Sequence, residues 1–483
     1  MRVELLLAWG LPLLAGLALC GFAAPARRWP GRAAALAGSG WLAGLLLAAV
    51  ASSLLARADT LHSVRTVAPW LSALALAGAL AIAARWWLVR RRRTQRARGD
   101  AGVTPRWQRA CWWLLLVLVA VRFAMLAAEA AWRPVFPWDA WSAWALKPKS
   151  WILLGEAQPY VSMFDWLADP FAATRTTATW HYPELLAWIE VWFASGAGGW
   201  NESIVNLAWS GALAAFGLCA YGYWRGIGVR ALPALGLVAA IASLPLLDAH
   251  VALAGYADLW IAVTFGCALL AWSRWLVWRE RAQWVLAIAF AACLPGIKLE
   301  GAIWLALFVA VVAFEGLPAR WRRWALAGTG VALACVVALG LSDLALPGSG
   351  WLRLDWPHIG IAAVPVVELG WHPVGGAMLA SLFTLPNWHL LWYALPLLVA
   401  VRWRFLVNDR AARALGMLVL LQGFALFVLF FFTNAGEWAT DFTSANRLIL
   451  QLVPGVFVFA ATLLRDPGDA NDRVRADQPM QVR

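Results

Sequence analysis

The sequence predicts an all-α integral membrane protein of about 13 transmembrane helices, with a long first outer loop that carries juxtamembrane helices. Three observations lead there. Of 483 residues, 63% are hydrophobic and only 13% are charged, against ~45–50% and ~25% in soluble domains. That excludes a soluble globular chain, a disordered chain and a collagen-like fibre together. Apolar runs of ~20 residues, the length that crosses a hydrocarbon core, recur from end to end. Tryptophan, with 36 residues against 21 Phe and 6 Tyr, belongs to the membrane–water boundary, where an apolar ring meets a wet N–H.

Spans are predicted at 4–24, 33–55, 68–89, 110–131, 203–224, 231–247, 259–278, 283–297, 301–316, 324–342, 380–401, 414–432 and 447–464. Ala23-Ala24-Pro25-Ala26 after the first run hints at a cleaved signal peptide. Its leading segment holds only Arg2, and Arg27 and Arg28 follow, so the run is expected to stay as a helix. Orientation follows from arginine. Residues 90–109 hold eight Arg against Asp100, which makes that loop cytoplasmic, and Arg27–Arg32, Arg225–Arg230, Arg274–Arg281, Arg320–Arg323 and Arg402–Arg413 fit the same side. Residues 56–67, 132–202, 248–258, 298–300, 343–379 and 433–446 then face outward. The net charge of +13 reads as this loop bias, and nucleic acid is not an expected partner. The six Cys lie in apolar runs without a CxxC pair, so neither disulfides nor zinc are indicated.

Residues 1–109 form N-terminal transmembrane helices and a basic cytoplasmic loop. Residues 110–464 form the main membrane module, with 132–202 as the outer loop, and 465–483 form a polar cytoplasmic tail. Residues 183–197, with Glu184 and Glu190, are expected as an amphipathic helix lying at the outer surface. The 283–297 run reaches only ~22 Å at 1.5 Å per residue and ends at Pro295-Gly296. Charges at such depth must line a cavity or pair.

Five constellations could carry chemistry. Asp139 lies in Pro137-Trp138-Asp139-Ala140-Trp141, followed by Trp144, Lys147 and Lys149. A carboxylate walled by indoles can act as general base on an acceptor hydroxyl; it could equally pair with Lys147 or cap a helix. His181-Tyr182-Pro183-Glu184 opens a helix, where Pro is at home in the first turn. Tyr256 and Asp258 stand at the mouth of the 259–278 span, where an Asp could simply cap. Lys298 and Glu300 flank the turn between two short spans; the lysine could hold a phosphate as a point charge, or pair with the glutamate. Arg447, after Thr440–Asn446, opposes the arginine trend and would suit an anionic headgroup, with Glu437 just upstream. Only three of the 39 basic residues are Lys, namely Lys147, Lys149 and Lys298. All three fall on the arginine-poor side, which suggests that a compact ammonium is wanted there.

An early Asp in a long first outer loop, a Tyr-Pro step opening its last helix, Tyr-x-Asp, Lys-x-Glu-Gly and a late Arg before the final span together resemble the GT-C superfamily. These are multi-span glycosyltransferases that use polyprenyl-phosphate-linked sugars. The likeness is to bacterial relatives of dolichyl-phosphate-mannose protein mannosyltransferases and of the lipid A aminoarabinose transferase. It covers roughly 110–464, with the first three spans as an addition. It implies a GT-C-like fold and places Asp139 as the family's first-loop catalytic acid, the base that deprotonates the acceptor. It also implies that Lys298 and Arg447, with Lys147, hold the donor phosphate. Trp138, Trp141, His181, Tyr182, Tyr256, Asp258, Glu300 and Glu437 would then line the substrate cavity. Many members carry two adjacent acids in the first loop; here Asp139 is followed by Ala140 and the next acid is Glu156, so a divalent metal stays open and no metal ligand is assigned. The implied partners are a polyprenyl-phosphate sugar, membrane lipid and an acceptor glycan, lipid or protein. The implied place is a bacterial inner membrane with the site facing the periplasm. The rivals are a transporter or flippase of a lipid-linked saccharide and a non-catalytic assembly protein. Seven Trp (132, 138, 141, 144, 151, 166 and 180) gather around Asp139, where indole faces could stack on sugar rings.

Overall fold

The computed structural model describes residues 3–23, 29–56, 64–91, 105–318, 320–324, 327–328, 343–346, 350–355, 358–361 and 367–466. Among these, eight helices are long and apolar enough to cross a membrane: Val3–Gly21, Arg32–Ala56, Thr66–Ala84, Arg106–Trp132, Glu202–Ile227, Asp258–Trp278, Arg410–Phe432 and Ser444–Leu463. Ala231–Ile241 and Pro245–Ala252, bent by 60° at their junction, would together make a ninth. The chain is a multi-pass, mainly helical membrane protein.

Burial sorts the helices by their sequence. Asp258–Trp278 and Ser444–Leu463 are buried along nearly their whole length and pack against each other at the centre. Arg106–Trp132 lies at the periphery and exposes Leu114, Val117, Leu118, Val121 and Met125, which suits contact with lipid tails. Arg281–Ile297 and Glu300–Gly316 form a tight hairpin. Pro295 removes an amide hydrogen near the end of the first of these helices, and Gly301 lets its partner close. A Cβ on Gly301 would stand 2.2 Å from the Leu294 carbonyl oxygen.

Several expectations change. Residues 185–197 do form a helix, but not one lying on the surface: Leu186–Ala194 are all buried. It wedges among Val3–Ala23, Arg32–Ala56 and Glu202–Ile227, and at 13 residues its ~20 Å is too short to cross. The 231–247 run breaks at Ala242–Leu244 because Pro245 cannot continue a helix from there. The 380–401 run is not one helix. A π-turn over Ala380–Thr384 and a 3₁₀ turn over Pro386–Trp388 precede Leu391–Val401. The outer segment carries a four-stranded antiparallel sheet of Asp343–Leu346, Gly350–Asp355, His358–Ile361 and Val367–Glu368. A two-stranded parallel pair, Tyr160–Val161 with Arg175–Thr176, sits in the first loop. Most of the predicted 324–342 span lies outside the described residues, as does nearly all of the polar tail.

Tryptophan is also redistributed. Trp151, Trp192, Trp209, Trp224, Trp260 and Trp272 are among the largest fully buried side chains, so interface anchoring accounts for only part of the count.

Candidate functional site

The site begins where Arg106–Trp132 ends. Pro134 and Pro137 prevent further helix, and two hydrogen bonds tie the exit to the next long helix. The Val135 amide donates to Glu202 Oε2 at 3.0 Å and Asn206 Nδ2 donates to the Arg133 carbonyl at 3.0 Å. Pro137 O then accepts from the amides of Ala140 and Trp141, and the chain enters a π-turn over Ala140–Trp144. Single π-turns widen a helix by one residue and recur at functional sites. This one carries Asp139 at its start.

Gly255 determines what stands beside it. Its φ is +117°, and a Cβ there would lie 2.4 Å from the Ala140 Cβ. Only glycine adopts that backbone without strain and allows the approach. The contact brings the 253–257 turn, and hence Asp258, against the Asp139 turn. Gly255→Val is expected to lower stability by about 2–4 kcal/mol, the sum of left-handed strain and overpacking; thermal unfolding in detergent would show it. Gly255→Ala should lie between.

Five charged side chains form one continuous chain. Arg447 Nη1 donates to Asp139 Oδ2 at 2.6 Å, while its Nε and Nη2 both reach Asp258 Oδ2 at 3.0 Å. Lys298 Nζ donates to Asp258 Oδ1 at 2.8 Å and ion-pairs with Glu300 Oε1 at 2.9 Å. Gln451 Nε2 adds a fourth donor to Asp258 at 2.6 Å, and its own Oε1 accepts from Trp304 Nε1 at 2.6 Å. Asp258 is fully buried, whereas the Asp139 side chain is 41% exposed. One carboxylate is therefore enclosed by protein, and the other is partly open. Burial works against the Lys298 charge, but Asp258 and then Glu300 outweigh it and hold the ammonium above the ordinary lysine range.

Two tyrosines flank the charges. The Arg447 guanidinium lies 4.3 Å from the Tyr256 ring centroid, a cation–π distance. Behind it the His250 ring is 5.3 Å from Tyr256. Tyr182 packs on Trp144 at 4.9 Å. Burial pushes the Tyr182 phenol above its usual range; Lys298 and Arg447 pull it back, and Glu300 and Asp139 push it further up. Tyr182 thus lies within electrostatic reach of all four. Burial likewise raises Tyr256, against the pull of Arg447. Both phenols remain neutral hydrogen-bonding groups at neutral pH.

Of the predicted site residues, Asp139, Tyr182, Tyr256, Asp258, Lys298, Glu300 and Arg447 come together. Asp139 pairs with Arg447 rather than Lys147, and Asp258 caps nothing: no side-chain cap bond forms at the helix start. Lys147 is not drawn into the cluster. Its buried ammonium donates to the carbonyls of Trp180 (2.8 Å) and Tyr182 (3.0 Å) and to Glu184 Oε1 (3.3 Å). All three protons are thereby engaged by protein, which leaves none for a phosphate. Burial depresses its pKa, with Glu184 opposing. Lys147→Met is expected to destabilise the loop by about 1–3 kcal/mol, the effect of orphaned carbonyls, visible as faster proteolysis within 155–184. His181 stacks edge-on against Trp180 and Tyr182. Trp138 and Trp141 form a T-shaped pair on the exposed side of the turn, free to meet a ligand. Trp144 and Trp151 are buried and cannot stack on a sugar. Glu437 is exposed and makes no ion pair among the described residues.

Gln451, Trp304 and His250 escape sequence reasoning, and Gly255 enters it only as the first residue of the stretch that holds Tyr256 and Asp258. Gln451 alone left a signal: it stands four residues after Arg447, on the same helix face. The predicted metal question finds no ligand set; among the described residues no group of three or more His, Cys, Asp or Glu is placed to hold an ion. The three acids are instead matched by Lys298 and Arg447. No protein-family model, no curated protein and no solved structure matches this chain.

Proposed function

We propose that this protein is a glycosyltransferase of the inner membrane of a bacterium, moving a sugar from a polyprenyl-phosphate carrier to an acceptor on the periplasmic side. One observation carries the reading above the rest. Asp139, a half-exposed carboxylate, shares a cation with a buried Asp258–Lys298–Glu300 chain, so a base and two phosphate-binding cations stand within one side chain of each other. Arg447 and Lys298 shield the charge that develops on the departing phosphate. Asp139 accepts the proton of the acceptor hydroxyl as its oxygen attacks the anomeric carbon, and the carbon–phosphate oxygen bond breaks on the opposite face. The anomeric centre is inverted. The orientation rests on arginine: Arg230, Arg274, Arg322, Arg402, Arg410 and Arg465 pair or cap at the opposite end of the helices, which the positive-inside rule sets in the cytoplasm.

The test is transfer by the purified full-length chain, supplied with undecaprenyl-phosphate sugars and candidate acceptors, wild type against Asp139→Asn. Transfer lost in the variant supports the reading; equal transfer in both overturns the role of Asp139. The broken Ala231–Ala252 pair favours a second reading, a transporter of a lipid-linked saccharide, since broken helices serve such sites. Movement of labelled lipid across a vesicle without any transfer would select it.

A further inference from the structure

Two hydroxyls beside the charge chain are unspent. Arg447 commits all three of its nitrogens to Asp139 and Asp258, Lys298 pairs with Asp258 and Glu300, and Gln451 Nε2 donates to Asp258. The Tyr182 and Tyr256 hydroxyls make no hydrogen bond among the described residues, and neither is enclosed. Tyr256 is held by its ring, which lies 4.3 Å from the Arg447 guanidinium. Tyr182 is held by a different device.

Trp144, on the π-turn that begins at Asp139, packs on the Tyr182 ring at 4.9 Å. Lys147 follows at the start of the next helix, Leu146–Leu154. Its ammonium donates to the Tyr182 carbonyl at 3.0 Å, to the Trp180 carbonyl at 2.8 Å and to Glu184 Oε1 at 3.3 Å. It therefore grips the chain before, at and after Tyr182. The Tyr182 amide donates to the Thr179 carbonyl at 3.0 Å, so both polar groups of this backbone unit are engaged. The Lys147 side chain is only 4% exposed, and water does not compete for these bonds. A compact ammonium can converge on two carbonyls and a carboxylate, where a planar guanidinium cannot. Lys147 thus ties the segment that carries Tyr182 to the segment that carries Asp139. With the backbone gripped and the ring against Trp144, a side chain of two torsions keeps its hydroxyl in one place.

Beyond burial, Lys298 acts most strongly on the Tyr182 phenol, ahead of Glu300, Asp139 and Arg447. The hydroxyl therefore stands in the field of the lysine assigned above to the phosphate. A neutral phenol offers a hydrogen bond to an anion without adding charge, in a site where three carboxylates already share two cations. We propose that Tyr182 donates a hydrogen bond to the phosphate of the lipid-linked sugar, and that Lys147 is the positioning residue that holds it there. The inference rests on the glycosyltransferase reading for the identity of the lipid, a polyprenyl phosphate.

The full chain in phosphatidylcholine nanodiscs, titrated with undecaprenyl phosphate, tests this. Tyr182→Phe keeps the ring on Trp144 and removes only the hydroxyl. Its thermal unfolding is expected to match wild type while affinity falls about tenfold, as loss of a hydrogen bond to a charged group does. Lys147→Met, measured below its unfolding temperature, should lose the same factor, and the double variant should bind no more weakly than either single one. Wild-type affinity in Tyr182→Phe would overturn the proposal, and fully additive losses would overturn the part given to Lys147. Undecaprenol, with the same tail and no phosphate, should bind wild type and Tyr182→Phe alike; a tenfold difference there too would put Tyr182 against the tail and end the phosphate assignment. Wild type that shows the expected pattern but transfers no sugar leaves the phosphate contact standing and overturns the glycosyltransferase reading instead. Transfer by wild type with unchanged binding in Tyr182→Phe does the reverse.

Discussion

Asp139→Asn is expected to stop transfer while binding the carrier phosphate more tightly than wild type. In the resting structure the candidate base is occupied: its Oδ2 holds Arg447 Nη1 at 2.6 Å. An incoming phosphate competes for that same guanidinium, and of the two carboxylates on Arg447 only Asp139 can yield. Asp258 is fully buried and accepts from Arg447, Lys298 and Gln451, so releasing it would strand two cations. The donor would therefore displace Asp139, and a carboxylate freed from its cation is the stronger base. Asparagine removes the competitor as well as the base. Loss of general-base catalysis is worth ~10²–10⁴ in rate. Removal of a partly exposed ion pair, worth about 1 kcal/mol at most, should tighten undecaprenyl phosphate binding up to about fivefold. Calorimetric titration in detergent would show it. Weaker binding by the variant would mean that Asp139 helps to hold the ligand, and the displacement scheme would fall.

The second large effect is on stability. Asp258→Ala should lower it by about 3–5 kcal/mol, the usual consequence of leaving buried charge uncompensated, because Arg447 and Lys298 both lose their common partner. Lys298→Met should be milder, since Asp258 keeps Arg447 and Gln451. The double variant should then recover part of the loss, since it no longer leaves a lysine stranded. Thermal unfolding of the three in one detergent gives the coupling directly. Additive losses would mean that the pair at 2.8 Å contributes nothing. Lys298→Arg belongs in the same series: a planar fork cannot meet Asp258 and Glu300 as a compact ammonium does, and full activity in that variant would end the argument for lysine at this position.

Much of the architecture is legible in the residues. Composition excludes a soluble chain, and runs such as 203–224, 259–278, 414–432 and 447–464 correspond to helices that the structure extends by a few residues. Hydropathy over a span's length is enough to place such helices. Failures gather where the chain departs from regularity. The 183–197 segment reads as amphipathic because a span there would put Arg225 and Arg230 outside and because it holds Glu184 and Glu190, yet Glu190 is buried with its neighbours. Periodicity cannot distinguish a polar face from a single enclosed carboxyl. The 380–401 run is apolar enough to span but holds Pro386, and hydropathy does not register a missing amide hydrogen.

At the site, residue type and spacing marked Asp139, Asp258, Lys298 and Arg447 one by one, because a charge beside an apolar run at the arginine-poor end needs a reason wherever it sits. Which of them touch is a different kind of information. Asp139 and Arg447 are 308 positions apart, and no local pattern relates them. Gly255 and the π-turn bring one from the first loop, Pro295 and Gly301 bring Lys298 from a helix end, and the packing of Ser444–Leu463 on Asp258–Trp278 brings Arg447. Lys147 shows the converse: it carries the same charge in the same loop, yet the carbonyls of Trp180 and Tyr182 claim it. Hydropathy and residue chemistry are properties of each position and survive in the sequence. Ion pairing depends on distances of about 3 Å between segments far apart in the chain, and only the folded helices set those.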